Sequence, residues 1–349
     1  MIKYALGIDI GGTNTNIGIA KIVDKKIELL FSLNFKTEKL KSIINPINEA
    51  LEHAKNKYDL NINSACIAVA GIISRDKNYV KLTNSPLKIN RNEILKNTTL
   101  KNLSIINDFQ AIGLGINFLD HHNKEDIIII REDNKEKRQI HQTKSIIGAG
   151  TGLGKSILFY NNRLDKYIPI ASEGGHSDFP YQNDFENELV NHIKNKRKIL
   201  QYLTYEEILS GRGIEAIYEF LKEKKDYKTN EYSREIEKAE NKAEVISKYR
   251  KKDKLSKDTL ELFIKFYARC AKNFALDTFS VGGIYLAGGI VSKNVDFFTK
   301  KDFISEFEDA YRRTDLLKNI PIYVIMNYYV SLYGACFAAL LEEEHGEII

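Results

Sequence analysis

The stretch DIGGTN, from Asp9 to Asn14, separates two predicted strands at 4–10 and 15–22 and decides the fold of the N-terminal part of the chain. It predicts a tight hairpin turn. Glycine has no Cβ, so backbone N–H groups in such a turn can approach an anion closely. Asp9, at the end of the first strand, is suited to hold a hydrated Mg²⁺ beside phosphates. A plain β-turn is the alternative interpretation, because glycine and asparagine also favour ordinary hairpins.

A second glycine-rich stretch, GAGTGLGKS from Gly148 to Ser156, resembles two nucleotide-binding motifs and matches neither. A P-loop needs a glycine five residues before Gly154, where this chain has Ala149. The dinucleotide fingerprint needs a glycine where this chain has Leu153. The stretch is therefore predicted to be another glycine turn between two strands. Its similarity to the first turn suggests a structural duplication, and two such turns fit a nucleotide triphosphate.

Length, composition and charge indicate an ordinary globular protein. The chain has 349 residues, more than one average domain, which favours two lobes. Hydrophobic residues make up 43% and charged residues 28%, which excludes a disordered chain, a collagen and a coiled-coil rod. The formal net charge of +5 comes without a long Lys/Arg block, so no nucleic-acid partner is expected.

The cysteines and the N-terminal residues indicate the cellular compartment in which the protein is expected. Cys66, Cys270 and Cys336 are far apart in sequence and lie among apolar residues. This favours free thiols in the core over a disulfide framework or a Cys-rich zinc site. The N-terminus begins at once with a predicted strand. We therefore expect neither a signal peptide nor a DNA-binding domain before it. We therefore expect a reducing, cytoplasmic compartment.

Two long stretches have to be interpreted with care. Residues 320–341 carry no charge and are long enough to span a bilayer. Their first half is rich in Ile, Val and Tyr and their second half in Ala and Leu, which favours a buried strand and then a core helix over 331–343. No membrane partner is expected.

The section 181–278 is predicted to be helical, and its Lys/Glu-rich part at 222–258 is interpreted as a solvated face.

Asn107 and Asp108 lie where a predicted strand, 102–106, meets a predicted helix, 109–119. Both residue types are good helix N-caps, which is one interpretation. The other is a general base: a carboxylate at the C-terminal edge of a sheet is well placed to take a proton from a substrate hydroxyl.

The segment Glu173-Gly174-Gly175-His176 is compact and polar. Glu and His at this spacing can bind the vicinal hydroxyls of a sugar through paired hydrogen bonds. A loop with a structural histidine is the alternative. A metal site fits less well, because the other histidines do not form ligand-spaced sets with acids.

Taken together, the motifs resemble the bacterial-type ATP-dependent glucokinase family, within the hexokinase, actin and heat-shock-protein superfamily. The resemblance covers almost the whole chain and rests on six ordered motifs: DIGGTN at Asp9, IINDF at Ile105, GAGTGLG at Gly148, EGGHSDF at Glu173, ILSGRG at Ile208 and LAGGIV at Leu286. It implies an α/β fold, the two-lobed actin-like ATPase (ribonuclease H-like) fold with a central cleft. The implied domains are a small one at 1–117 plus 326–349 and a large one at 118–325.

The resemblance also implies a role for each residue that matches a family motif. Asp108 matches the catalytic base, and Asp9 the metal ligand. The first phosphate turn comprises Asp9, Gly11, Gly12, Thr13 and Asn14. The second comprises Gly148, Gly150, Thr151 and Gly152, and the turn against adenosine comprises Gly288 and Gly289. The implied sugar ligands are Asn84, Asn107, Asp108, Glu173, His176 and Glu206.

Some positions depart from the family pattern. Leu87 stands where the family has an aromatic residue, which predicts a wider wall of the sugar pocket. The family's Asn-Pro-Gly stretch near the end is Asn327-Tyr328-Tyr329 here, and 121–143 and 222–258 are insertions. The Cys-rich zinc motif of the related repressor and kinase branch is missing, which disfavours that branch.

The implied reaction is in-line transfer of the ATP γ-phosphoryl group to the 6-hydroxyl of D-glucose, with Mg²⁺ and backbone N–H groups neutralising charge and lobe closure excluding water. A homodimer is also implied. The alternatives are a kinase of another hexose or amino sugar, a sugar sensor without turnover, and an actin- or chaperone-like ATPase. The missing DNA-binding segment and Asp108 argue against the sensor, and the sugar ligand set argues against the ATPase.

Overall fold

The computed structural model describes residues 2–24, 26–82, 87–132, 141–224 and 226–346. The chain divides into two compact units. The first unit comprises Met1–Asp126, Ser156–Ala171 and Asn327–Ile349, and the second comprises Ile127–Lys155 and Ser172–Met326.

The strands and helices below are those of the described residues. The strands are β1 (Ile2–Ile10), β2 (Asn14–Val23), β3 (Lys26–Lys36), β4 (Ser64–Val69), β5 (Gly71–Ile73), β6 (Tyr79–Leu82), β7 (Lys88–Asn90), β8 (Asn102–Asn107), β9 (Ile127–Arg131), β10 (Lys144–Ala149), β11 (Leu153–Asn161), β12 (Lys166–Ser172), β13 (Ile284–Ala287) and β14 (Ile322–Ile325). The α-helices are α1 (Ile44–Tyr58), α2 (Arg91–Lys96), α3 (Asp108–Gly115), α4 (Asp184–Arg197), α5 (Tyr205–Ile208), α6 (Gly211–Lys224), α7 (Glu231–Lys238), α8 (Lys242–Tyr249), α9 (Lys254–Asp277), α10 (Gly289–Lys293), α11 (Val295–Phe298), α12 (Lys301–Glu308), α13 (Thr314–Lys318) and α14 (Val330–His345).

The first unit is organised around β1, the middle strand of a sheet with the order β3-β2-β1-β4-β8. β1 pairs antiparallel with β2 and parallel with β4, which pairs parallel with β8. Alternate residues of β1 point to opposite faces. Leu6 and Ile8 pack in the core that includes α1, and Ala5 packs in the core that includes α14. Because both faces are covered, β4 is apolar and buried along its whole length.

The C-terminal helix α14 lies against β1 and α3 at very short backbone separations. A Cβ at Gly334 would lie 1.7 Å from the carbonyl oxygen of Ala111, and a Cβ at Gly115 would lie 1.9 Å from that of Val330. A Cβ at Gly7 of β1 would lie 2.8 Å from the Cys336 sulfur. No side chain fits at these positions, so the three glycines permit the contact.

The uncharged stretch 320–341 forms β14 and most of α14, so its interpretation as a strand followed by a core helix is confirmed. Helix α14 is part of the first unit. Among the described residues, no helix has the length and apolar character needed to cross a bilayer.

The hairpin of β11 and β12 lies largely with the first unit, whereas the sequence placed all of 118–325 in the large domain. The reason is packing against α3. A Cβ at Gly113 would lie 2.7 Å from a Leu158 methyl carbon and 2.9 Å from the Pro169 Cβ, so the hairpin fills the space that this glycine leaves. The first segment of this unit also extends to Asp126 rather than 117.

In the second unit, β10, β13, β14 and β9 lie side by side in that order, and only β9 of these four is antiparallel to its neighbour. The 24-residue helix α9 packs against α6 and α12 and is tied to the sheet. The buried Tyr267 hydroxyl donates a hydrogen bond to the carbonyl oxygen of Ile147 at 2.9 Å.

The predicted strands and helices around both glycine turns are confirmed, with small shifts at their ends. The small antiparallel sheet β5-β6-β7 was not predicted, because its strands are short and partly exposed. Strand β9 lies inside the stretch 121–143, which was interpreted only as an insertion. Residues 133–140 of that stretch lie outside the described residues.

The charged segment 222–258 forms α7, α8 and the start of α9. Ile236 and Ile246 point into the core, while Lys248 and Glu235 pair on the exposed side at 3.0 Å. The interpretation as a solvated helical face is therefore confirmed. The three cysteines are buried free thiols, as predicted, and burial raises the pKa of each.

A buried ion pair joins α4 and α9 in the second unit. Glu186 and Arg269 are each only 1% exposed, and two guanidinium nitrogens of Arg269 lie 2.7 and 3.0 Å from the two carboxylate oxygens of Glu186. Burial alone would raise the pKa of Glu186, but hydrogen bonds from Arg269 and the Gln182 backbone lower it to about 2.

Replacing Glu186 by Gln leaves a buried guanidinium short of one counter-charge, so we expect a loss of roughly 3 kcal/mol in the free energy of unfolding at pH 7. The pKa of the Glu186 carboxyl group is lower in the folded protein than its ordinary value of 4.5. The stability that the parent has over the variant is therefore fully present above pH 4.5 and is lost as the pH falls towards 2. Urea unfolding at several pH values measures both effects. Glu188→Gln is the control, because Glu188 makes an exposed pair with Lys224 worth less than about 1 kcal/mol. Equal unfolding midpoints for the two variants would contradict the expectation.

Candidate active site

The first glycine turn is a hairpin between β1 and β2, as predicted. The Gly11 N–H donates to the carbonyl oxygen of Asn14 at 2.9 Å, and the register sets Asp9 opposite Asn16. Gly12 is exposed at the tip, together with Thr13 beside it. The exposed backbone at the tip is compatible with anion binding.

Thr37, the residue directly after β3, supports this turn through hydrogen bonds, and the sequence analysis did not single it out. Its hydroxyl donates to the carbonyl oxygen of Gly11 at 2.8 Å, and its N–H donates to that of Thr13 at 3.0 Å. The neighbouring Lys36 places its Nζ 2.9 Å from Oδ1 of Asn14, which brings a positive charge to the turn. The available signal was the polar end of the predicted strand 27–36, which lies level with the turn once β2 and β3 pair.

Asp9, the predicted metal ligand, is part-buried at the end of β1. Burial raises the pKa of its carboxyl group to about 6, while the nearby Ser331 and Asn16 side chains act in the opposite direction. Within the described ranges, no group of three or more His, Cys, Asp or Glu side chains is arranged to hold a metal ion. One carboxylate together with waters and substrate phosphates is a way in which proteins hold Mg²⁺, and Mg²⁺ binding by Asp9 stays a prediction.

Asn107 is the N-cap of α3, so the capping interpretation is confirmed for this residue. Its side-chain oxygen accepts from the Phe109 N–H at 2.8 Å, and Gln110 completes a capping box by accepting from the Asn107 N–H at 3.1 Å. Asp108 is the first residue of the helix, and its Oδ1 lies 3.0 Å from the Phe109 nitrogen. The cap uses the oxygen of Asn107, and its amide NH₂ group is a separate donor.

Parallel pairing brings Asp108 and the first glycine turn to one edge of the sheet. Ile10 of β1 is level with Val69 of β4, and Val69 is level with Asn107 of β8. Two strand spacings separate β1 from β8, which is about 10 Å. All three strands end at this edge, so Asp9 and Asp108 both lie there.

The second glycine turn connects β10 to β11, again as predicted. The Gly150 N–H donates to the carbonyl oxygen of Gly152 at 2.8 Å, and the Gly150 carbonyl accepts from the Gly211 N–H at 2.9 Å. Thr151 is exposed at the tip, and Gly148 is buried within β10. The start of α6 thus holds this turn.

The turn at Gly288 and Gly289 follows β13, the strand that pairs in parallel with β10. Gly288 has a φ of +93°, and a Cβ there would lie 2.5 Å from the carbonyl oxygen of Ala149, so the two turns lie side by side. At Gly150 and Gly289, in contrast, a Cβ would meet nothing within 4 Å, and neither residue has a positive φ. Space is therefore left above both turns, which fits a bound nucleotide.

The predicted sugar-binding loop, Glu173 to His176, follows β12 and forms a short 3₁₀ turn. The side chains of Glu173 and His176 are 88% and 59% exposed, and His176 Nε2 lies 3.7 Å from Glu173 Oε2. The loop lies directly on the start of β11, because a Cβ at Gly175 would be 2.1 Å from the Leu153 carbonyl oxygen. Both polar groups are thus presented on a rigid support.

Glu206, another predicted sugar ligand, contacts the second glycine turn. Its Oε2 accepts from the Leu153 N–H at 3.0 Å, and a Cβ at Gly152 would lie 2.5 Å from the same oxygen. Its Oε1 lies 3.4 Å from Arg212, a residue that the sequence did not single out. Glu206 therefore contacts the second glycine turn, and sugar binding by it stays a prediction.

Two further predictions concern the segment before α2. Asn84 lies outside the described residues. Leu87, expected in a wall of the sugar pocket, is buried and packs in the core on the α1 side of the first sheet.

The comparisons with known proteins agree with the motifs. The family model for glucokinase matches residues 6–342. The glucokinase of Nostoc punctiforme is 32% identical over 345 residues, which cover 95% of this chain and 97% of that protein.

Two solved structures share the fold. A glucokinase from Balamuthia mandrillaris, in complex with glucose, has a TM-score of 0.79 at 22% identity and covers 97% of this chain and 94% of its own. A ROK family glucokinase from Streptomyces griseus, in complex with glucose and AMPPNP, has a TM-score of 0.63 at 17% identity and covers 97% and 99%. These similarities confirm the predicted α/β actin-like ATPase fold.

The open space at Gly150 allows a test of phosphate contact. Gly150→Val should leave thermal unfolding close to that of the parent, because no described atom lies where the new Cβ would be. It should weaken ATP binding by at least about tenfold, since the side chain occupies the space left for phosphate. Calorimetry with a non-hydrolysable ATP analogue measures the affinity.

Gly152→Ala is the contrasting variant. Its Cβ would press on Glu206 at 2.5 Å, so its melting temperature should fall. If Gly150→Val is well folded and binds the analogue as tightly as the parent, the second turn does not contact phosphate.

Proposed function

The chain belongs to the glucokinase family, whose reaction is the ATP-dependent phosphorylation of glucose, and we propose how its residues carry out that reaction. The γ-phosphoryl group of ATP passes to the 6-hydroxyl of D-glucose, and Asp108 acts as the general base. One observation carries this assignment: Asp108, Asp9 and the first glycine turn end parallel strands at the same sheet edge.

Asp108 accepts the proton of the sugar hydroxyl as the new phosphate ester forms. A carboxylate suits this role because it can accept a proton at neutral pH. The role also requires the carboxylate to be held pointing at the hydroxyl group. Its direction is supported by the Asn107 capping box and by the close packing of α3 on α14. The Asn107 amide NH₂ group donates to a sugar hydroxyl in the same proposal.

The glycine turns bind ATP. Backbone N–H groups at Gly12 and Thr13 and at Gly150 and Thr151 face phosphate, and the Gly288 and Gly289 turn lies against adenosine. Asp9 holds Mg²⁺, which when bound neutralises charge on the transferred phosphoryl group. Lys36, 2.9 Å from Asn14, adds a positive charge beside the first turn.

Glu173, His176 and Glu206 bind the sugar hydroxyls. Support comes from their placement: the first two are exposed on a loop fixed to β11, and Glu206 lies beside that strand's first residue. The proposal further includes a cytoplasmic homodimer. The buried free thiols support a reducing compartment, and light scattering on the purified chain tests the dimer.

Asp108→Asn removes the base and keeps an oxygen that can accept from the Phe109 N–H. We expect kcat to fall by about 10²–10⁴-fold with the melting temperature retained. A coupled ADP assay with glucose measures the rate. The matched control is Asp184→Asn, because Asp184 is the first residue of α4 and follows an Asn N-cap in the same way. Near-parental turnover of the Asp108 variant would leave that residue as part of the helix start only.

Glu173→Gln and His176→Ala each remove a hydrogen-bonding group from the sugar. Each should raise the glucose KM by about 5- to 150-fold, the equivalent of roughly 1–3 kcal/mol, with little change in the ATP KM. Glu188→Gln, an exposed carboxylate variant on α4, should change neither. A panel of glucose, mannose, glucosamine and fructose shows which hydroxyls are recognised. A rise in the ATP KM alone would mean that the loop has been assigned to the wrong substrate.

A further inference from the structure

Lys155 is a buried lysine that the reaction above does not use. It lies in β11, three residues from the second glycine turn, and is 5% exposed. Its Nζ lies 4.8 Å from the centre of the Tyr205 ring and 4.9 Å from that of the Phe274 ring. Within the described residues, no carboxylate oxygen is within 4.0 Å of it. Lysine is seldom buried without an anionic partner, so this placement needs an explanation.

The two rings supply the electrostatic partner that a carboxylate would otherwise supply. An ammonium between aromatic faces is attracted by both π systems, and the attraction strengthens when water is excluded. The ammonium also faces the thiol of Cys270. Burial raises the pKa of this thiol to about 11, although the nearby Lys155 acts to lower it. Tyr205 is itself fixed, because its hydroxyl accepts from Asn273 at 2.8 Å.

The side chain of Lys155 lies directly under the sugar-binding loop. A Cβ at Gly174 would be 3.0 Å from Lys155 Cδ and 3.4 Å from its Nζ. Gly174 follows Glu173 and is the first residue of the 3₁₀ turn that ends at His176. The loop therefore has little room to move towards the lysine.

The same lysine also reaches the element that carries Glu206. Tyr205 precedes Glu206 at the start of α5, and the Tyr205 N–H donates to the carbonyl oxygen of Ser177 at 3.0 Å, just after the loop. Lys155 thus contacts both elements that carry the proposed sugar ligands. It contacts the loop 173–176 at Gly174 and helix α5 at the Tyr205 ring.

We propose that Lys155 is a positioning residue for the sugar: its ammonium, held between Tyr205 and Phe274, fixes the loop 173–176 against α5. This rests on the proposed function, in which Glu173, His176 and Glu206 bind the sugar hydroxyls. Lys155 touches no substrate. Its loss should therefore weaken sugar binding in the ground state and the transition state alike, which raises KM and leaves kcat unchanged.

Lys155→Met removes the charge and keeps a long flexible side chain. We expect the glucose KM to rise by about tenfold, with kcat and the ATP KM within about twofold of the parent. Lys155→Arg keeps a cation that stacks on aromatic faces, and it should restore most of the glucose affinity. Calorimetry with glucose alone should show the same order of affinities without any catalytic step.

Lys166→Met is the matched control. Lys166 is likewise a buried lysine over an aromatic ring, 5.8 Å from the Phe118 centre, but it belongs to the first unit. Its replacement should leave the glucose KM unchanged. If Lys155→Met does not fold, Phe274→Leu removes one ring face while keeping apolar volume, and it should raise the glucose KM severalfold.

The outcomes separate this inference from the proposed function. If Glu173→Gln and His176→Ala raise the glucose KM while Lys155→Met and Phe274→Leu do not, the positioning role is wrong and the sugar site stands. An equal loss of glucose affinity in the Met and Arg variants also overturns the role, because charge would then be irrelevant. If the loop variants leave the glucose KM unchanged, the sugar assignment itself fails.

Discussion

The first unit depends on one steric constraint, the backbone contact of α14 with α3 and β1. Gly334 and Gly115 let the two helices approach so closely that a Cβ on either would overlap a carbonyl oxygen of the other. Because α3 begins at Asp108 and β1 carries Asp9 near its end, this contact fixes the two carboxylates relative to each other. The relative placement of these two carboxylates thus depends on the absence of side chains at glycines elsewhere in the unit.

The parts of the fold that sequence could predict are those whose cause is local. Each glycine turn lies between adjacent strands, and Asp108 directly follows its strand, so neighbouring residues carry the whole signal. The braces of the turns could not be predicted. Thr37 reaches Gly11 across 26 positions, and Glu206 reaches Leu153 across 53. The first contact follows only once β2 and β3 are paired, and the second depends on how α5 packs. At Asn107 the cap is observed and uses only the oxygen, so sugar binding through the amide NH₂ group stays a prediction.

The two glycine turns share a strand–turn–strand plan and differ in what supports them. The first is supported by Thr37, the residue directly after the last residue of β3 in its own sheet. The second is held by Glu206 and Gly211, at and just after α5, the helix beside the sugar-binding loop. In the second unit, the second glycine turn and the proposed sugar ligands therefore share a support. A carboxylate that already accepts from the Leu153 N–H can offer a sugar only its remaining acceptor capacity, which narrows the geometry Glu206 can use.

Charge gives a reason why a cation, rather than a methyl group, lies beneath the sugar-binding loop. A buried ammonium is costly to desolvate, and an apolar residue of similar length would pack at least as well, so stability alone does not account for Lys155. In the proposal above, the two elements that Lys155 contacts carry the sugar-binding carboxylates Glu173 and Glu206. A fixed positive charge between the rings of Tyr205 and Phe274 favours negative charge nearby without itself forming an ion pair with either carboxylate. In this proposal Lys155 therefore takes up none of the acceptor capacity that Glu173 and Glu206 have left for hydroxyl groups.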